Sequence, residues 1–149
     1  MPVEVQKHLF TVREFHQMAE GGIFAEDDRV ELLAGEIFEL TPIGSRHAGC
    51  VNALTNTLAA QLGSAVIVSV QNPVVLDDFS EPQPDLLILR PRADFYRDGH
   101  PTPDDVRIVI EVADSLGLRP PREAASIRAG RHSGSVADRA ERRRRRRVQ

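Results

Sequence analysis

Glu81-Pro-Gln-Pro-Asp85 opens directly into the apolar run Leu86-Leu-Ile-Leu89, and a second run, Val106-Arg-Ile-Val-Ile110, delivers Glu111. An acidic residue in so apolar a setting needs a partner, because burying an unpaired carboxylate costs on the order of several kcal/mol. Asp85 at a strand start and Glu111 near a strand end can meet and share a divalent cation. Two carboxylates with water and phosphate oxygens suit Mg²⁺, or another divalent cation that accepts hard oxygen ligands. Such an ion polarises a phosphodiester and lowers the pKa of a bound water, the two demands of hydrolysis. Asp85 and Glu111 are therefore the candidate catalytic and metal-binding pair.

Three further residues are candidate accessories, each with a plainer alternative. Glu31 offers a third carboxylate, although strand alternation makes a solvent-facing position equally reasonable. His47, near a helix start, can reach phosphate or the site, but a histidine there is more often a surface residue. Gln83 adjoins Asp85 and otherwise serves as a backbone-bonding turn residue. Asp85 alone would read as a turn aspartate after proline, and Glu111 alone as an edge-strand residue. Cys50 falls on the apolar side of a helix and is expected in the core.

The elements that must position these groups follow from local pattern. Thr11-Val-Arg-Glu14 matches a capping box, predicting a short helix to about Ala19 closed by Gly21-Gly22. Arg29-Val-Glu-Leu-Leu33 and Glu36-Ile-Phe-Glu-Leu40 alternate around Ala34-Gly35 and predict a hairpin. Ser45 is a candidate cap for an amphipathic helix over 46–62, whose Val51, Leu54 and Leu58 face the sheet, ended by Gly63. Strands are expected over 65–70, 73–76, 85–89 and 106–112, with 77–80 as a turn and the proline-rich 90–105 as a loop.

Composition bounds the rest. A chain of 149 residues, 41% hydrophobic, fits one domain with a modest core. It shows neither an apolar run long enough to span a bilayer nor a leader pattern at its start, so a cytoplasmic protein without membrane contact is expected. The lone cysteine excludes an intrachain disulfide and a multi-cysteine zinc site. Residues 1–115 carry 8 basic against 19 acidic side chains, a balance of −11, whereas 116–149 carry 11 arginines against 3 acids, a balance of +8; together these give the net −3. An acidic body binds DNA poorly unless cations reverse the sign of its clustered acids. Residues 116–149, ending in six arginines from Arg142 to Arg147, read as a low-complexity disordered tail.

Five blocks together resemble one family. They are Arg29-Val-Glu-Leu-Leu-Ala-Gly-Glu-Ile37, Pro42-Ile-Gly-Ser-Arg-His47, Ser69-Val-Gln-Asn-Pro73, Ser80-Glu-Pro-Gln-Pro-Asp85 and Ile110-Glu-Val-Ala-Asp-Ser115. In this order they resemble the Uma family of putative restriction endonucleases, within the PD-(D/E)XK nucleases, over about 11–115. The resemblance implies an α/β, restriction-endonuclease-like core with a mixed central sheet flanked by helices. It also implies Mg²⁺ at Asp85 and Glu111, DNA as partner and substrate, and hydrolysis of its phosphodiester bonds. A homodimer is a further expectation. Two departures stand out: Ala113 occupies the position of the pattern's lysine, and no lysine follows Lys7. In the family a helix after the second carboxylate supplies that lysine, and the corresponding stretch here is not recognisable. Arg122 is a stand-in for charge stabilisation only, since arginine stays protonated and cannot deprotonate water. The C-terminal end is therefore expected to be aberrant or truncated. A catalytically dead nucleic-acid-binding or interaction module, or a non-functional truncated copy, remains the alternative to an active nuclease.

Overall fold

The computed structural model describes residues 3–113. Helix α1 spans Val12–Glu20 and begins with the expected capping box. The Thr11 hydroxyl accepts from the Glu14 N–H at 3.1 Å, and the Glu14 carboxylate accepts from the Thr11 N–H at 2.7 Å. Strands β1 (Val30–Leu33) and β2 (Glu36–Glu39) form an antiparallel hairpin. Its two-residue turn has positive φ at both Ala34 (51°) and Gly35 (78°), the combination whose twist suits a tight hairpin. A side chain at Gly35 would also strike Leu9, whose Cβ lies 2.6 Å from the position a Cβ would take.

Helix α2 spans Ser45–Leu62 and is closed by Gly63, whose φ is 51°. Ser45 is its first helical residue rather than its cap: Gly44 occupies the N-cap, and no side chain bonds there. A short 3-10 turn, Gly63–Ala65, leads into β3 (Ile67–Val70). Strands β4 (Leu86–Leu89) and β5 (Val106–Ile110) complete a three-stranded antiparallel sheet in the order β3-β4-β5. The α/β class holds. The parallel neighbour that a mixed sheet requires is not among residues 3–113, where every strand pairing is antiparallel.

Residues 73–76 were expected as a regular strand, and they are not one. Pro73, Pro82 and Pro84 lack the N–H that a ladder needs, so this segment and its return form an irregular ribbon. Val74 donates to the Pro82 carbonyl at 3.0 Å and Leu76 to the Ser80 carbonyl at 2.9 Å, around the expected turn. The return segment then joins the two sheets, since Glu81 and Leu32 exchange backbone hydrogen bonds of 2.7 and 3.3 Å.

The core lies on the three-stranded sheet. All four residues of β4 are buried, as befits a central strand covered on both faces. Leu87 and Leu89 cluster with Val74, flanked by Ile67, Leu76, Tyr96, Val106 and Val109. α2 packs against β3, with Val51 buried and Leu54 and Leu58 half-buried. Cys50, expected in the core, is exposed; the buried stripe of α2 runs through Val51 instead. Among the described residues no helix is long and apolar enough to cross a membrane. The expected tail over 116–149, with Arg122, lies outside the described residues.

Candidate functional site

Asp85 and Glu111 flank the paired residues Leu86 and Ile110, one immediately before β4 and the other immediately after β5. Antiparallel pairing thereby brings both carboxylates to one end of the sheet, from strands held in place by the buried leucines of β4. The Val112 N–H donates to Asp85 Oδ2 at 2.9 Å, so the chain just past Glu111 grips Asp85 directly.

Two more elements converge on the same carboxylate. His47, in the first turn of α2, places Nε2 at 2.8 Å from Asp85 Oδ1. Gln71, directly after β3, donates from its side chain to Oδ1 at 3.4 Å and from its backbone to the Asp85 carbonyl at 3.0 Å. Gln71 was not among the sequence candidates. Its signal was its position at a strand end before Asn72-Pro73, and it adopts a positive φ of 52°, unusual for a residue with a side chain. His47 is thus an inward-facing residue, its side chain 18% exposed.

Glu31 is also buried, at 5% exposure, rather than facing solvent. The Gln83 N–H donates to Glu31 Oε2 at 3.3 Å, and the Gln83 side chain donates to the Val30 carbonyl at 3.0 Å. Gln83 therefore acts as the backbone-bonding residue of the plainer reading, and it fixes β1 beside the Pro-Asp segment.

The two principal carboxyls are driven apart in acidity. Burial opposes ionisation of Asp85, but the Val112 N–H, His47 and Gln71 together outweigh it and hold the group below its ordinary value. Glu111 moves the other way and is pushed up to about 7. Loss of solvent around the carboxyl contributes first, the charge of Asp85 next, and Glu31 adds a further push, against a lowering by the Asp85 backbone N–H. A proton at Glu111 does there what a bound cation would do. Carboxylate oxygens are also the donor type that a hard divalent ion takes, so the residues fit Mg²⁺ or a similar ion. Asp85, Glu111 and Glu31 do not form a trio of ligand atoms all within 4.8 Å of one another.

A groove of about 700 Å³ lies elsewhere, between α1 and the 77–79 turn. Glu20, Asp77 and Asp78 rim it, and neither Asp85 nor Glu111 lines it. Arg13 and His16 line it as well.

No curated protein matches the chain. The profile of the Uma2 family, described as "Putative restriction endonuclease", matches residues 12–123, eight residues beyond Ser115 at the end of the last resembling block. That match spans most of the chain and contains every residue of the site just described, and the chain belongs to the Uma2 family of putative restriction endonucleases.

Proposed function

We propose that the protein is a metal-dependent endonuclease in which Asp85 and Glu111 hold a divalent cation, Mg²⁺ in the first instance, and DNA is the substrate. The observation that carries this reading is the opposed acidity of two carboxyls held at one end of adjacent strands. When bound, the ion supplies charge neutralisation at the phosphate and a bound water of lowered pKa. The chain's own residues prepare the site. His47, Gln71 and the Val112 N–H orient Asp85 and keep it ionised. Glu111 gives up a proton near pH 7 to complete the ligand pair. Glu31 adds negative charge that draws in a cation. The nuclease unit is taken as residues 11–115 with a basic tail over 116–149, in a cytoplasmic setting.

Ala113 in place of the pattern's lysine favours a second reading, in which the fold binds nucleic acid or a partner without turnover. Supercoiled plasmid incubated with the full chain and Mg²⁺ separates the two. Nicking that disappears with EDTA and in Asp85→Asn and Glu111→Gln supports the enzyme. Retention of plasmid on the protein with no nicking, at any divalent metal tried, establishes the binding module instead.

A further inference from the structure

A second group of metal-ligating side chains sits away from Asp85 and Glu111. His16 projects from α1, Glu81 from the segment that bridges the two sheets, and His100 from the loop between β4 and β5. One ligand atom from each lies within 4.8 Å of the other two. His16 Nε2 is 2.7 Å from Glu81 Oε2, and the rings of His16 and His100 are 6.2 Å apart between centroids. Glu81 is only 4% exposed. A carboxylate so deeply buried is costly in a domain of this size unless a cationic partner meets it.

Each of the three is anchored by backbone that the packing fixes. Glu81 is locked to Leu32 by two backbone hydrogen bonds. α1 is held by the Val12 N–H donating to the Asp78 carbonyl at 2.7 Å and by the buried Phe15 beside His16. His100 precedes the buried Pro101, whose carbonyl accepts from Val75 at 2.9 Å, and follows Gly99, whose carbonyl accepts from Arg92 at 2.8 Å. The His100 ring is exposed and has room to swing. The acidic groove that includes Glu20, Asp77 and Asp78 also runs up to His16, so a cation has a favourable route in.

We propose that His16, Glu81 and His100 form a second cation site for a zinc-class divalent transition metal, tying α1 to the loop between β4 and β5. Two imidazoles and one carboxylate match borderline ions such as Zn²⁺ rather than Mg²⁺, which takes oxygen donors. With Zn–N and Zn–O bonds of about 2.0–2.2 Å, ligand atoms around a tetrahedral ion stand roughly 3.3–3.6 Å apart. His16 and Glu81 therefore separate by somewhat under 1 Å to admit the ion. The half-exposed rim of His16 leaves a fourth position for water.

This site is independent of the nuclease reading, and its test keeps the two apart. Untagged full-length protein is titrated with Zn²⁺ by calorimetry in excess Mg²⁺, and with Co²⁺ by visible absorption. Wild type, Asp85→Asn and Cys50→Ser are expected to bind one equivalent with nitrogen-ligand absorption. His16→Gln and His100→Ala are expected to lose at least tenfold in affinity. His100 is an exposed loop residue, so its variant folds and loss there reports on ligation. At a hundredfold excess over Kd, Zn²⁺ should raise the melting temperature of wild type by roughly 5 °C or more, and that of His100→Ala hardly at all. Equal binding by wild type and His100→Ala overturns the proposal. So does loss of the Zn²⁺ site in Asp85→Asn, which would assign the ion to the sheet end.

Discussion

His47 Nε2 lies 2.8 Å from Asp85 Oδ1, a bond that ties the first turn of α2 to the head of the central strand β4. The helix is thus more than a cover for the sheet: it sets the direction in which the Asp85 carboxylate points. Groups that orient a metal ligand from behind typically change metal affinity or activity by about 10–100-fold when removed. His47→Ala is accordingly expected to weaken half-saturation by Mg²⁺ by that factor, with a smaller change in turnover at saturating metal. Mg²⁺ dependence of plasmid nicking, or of calorimetric binding if turnover is absent, measures it. An unchanged half-saturation would mean that Gln71 and the Val112 N–H suffice to hold Asp85.

The raised pKa of Glu111 gives the site a pH signature. Its folded value of about 7 exceeds the ordinary 4.5, so between these values the folded protein holds a proton that the unfolded chain has lost. Stability of the metal-free protein then falls as pH rises from about 4.5 through about 7. Asp85 acts oppositely, contributing stability above its ordinary value of 3.8 that is lost as pH falls further. In the proposed metal site Glu111 must be ionised to bind, so affinity should rise about tenfold per pH unit below 7 and level off above it. Mg²⁺ titrations at pH 5.5, 6.5 and 7.5, about one unit apart, check this, and Glu111→Gln should flatten both trends.

Core placement is tested by two substitutions with opposite expectations. Leu87 is fully buried in the cluster with Val74 and Leu89, so Leu87→Ala should cost about 2–5 kcal/mol. Cys50 is exposed on α2, so Cys50→Ser should change stability by less than about 0.5 kcal/mol. Urea unfolding of both variants decides the matter. A large loss in Cys50→Ser would show that this face of α2 is covered in solution.

The contrast between Leu87 and Cys50 shows what the sequence made readable. Strong local signals survived folding: the Thr11–Glu14 box, the Ala34-Gly35 turn, the Gly63 stop and the apolar run of β4 all form where expected. Cys50 and Val51 are neighbours on a weakly amphipathic helix, and only tertiary packing decides which of them turns inward. The Pro73–Leu76 run has strand composition, yet three prolines around it deny the ladder its donors. That Asp85 and Glu111 meet at one sheet end could be read because one precedes and the other follows an apolar strand. Gln71 was harder to read, because beyond its place after a strand its contact depends on a positive φ. The burial of Glu31 was equally hidden, since alternation left both faces of a short hairpin open.

Glycine demands at two positions allow backbone strain to be separated from steric clash. Gly22 and Gly35 have nearly equal φ, +75° and +78°, so an alanine at either meets the same left-handed penalty. That penalty is about 1–2 kcal/mol. Their surroundings differ: nothing lies within 4 Å of the Cβ position at Gly22, whereas at Gly35 the Leu9 Cβ would be 2.6 Å away and its Cα 3.0 Å. Leu9 cannot simply rotate aside, because the closest atoms belong to its backbone and first side-chain carbon. The neighbouring Phe10 N–H also donates to the Gly35 carbonyl at 2.9 Å, which pins the segment passing over the turn. Gly22→Ala should therefore cost only the conformational term. Gly35→Ala should cost that term plus about 1–3 kcal/mol of overpacking, and should loosen the segment around Leu9 and Phe10. Urea melts give the two energies, and amide exchange at Phe10 and Gly35 reports the local opening. Equal costs for the two variants would show that the chain around Leu9 moves away freely and that the turn alone requires glycine.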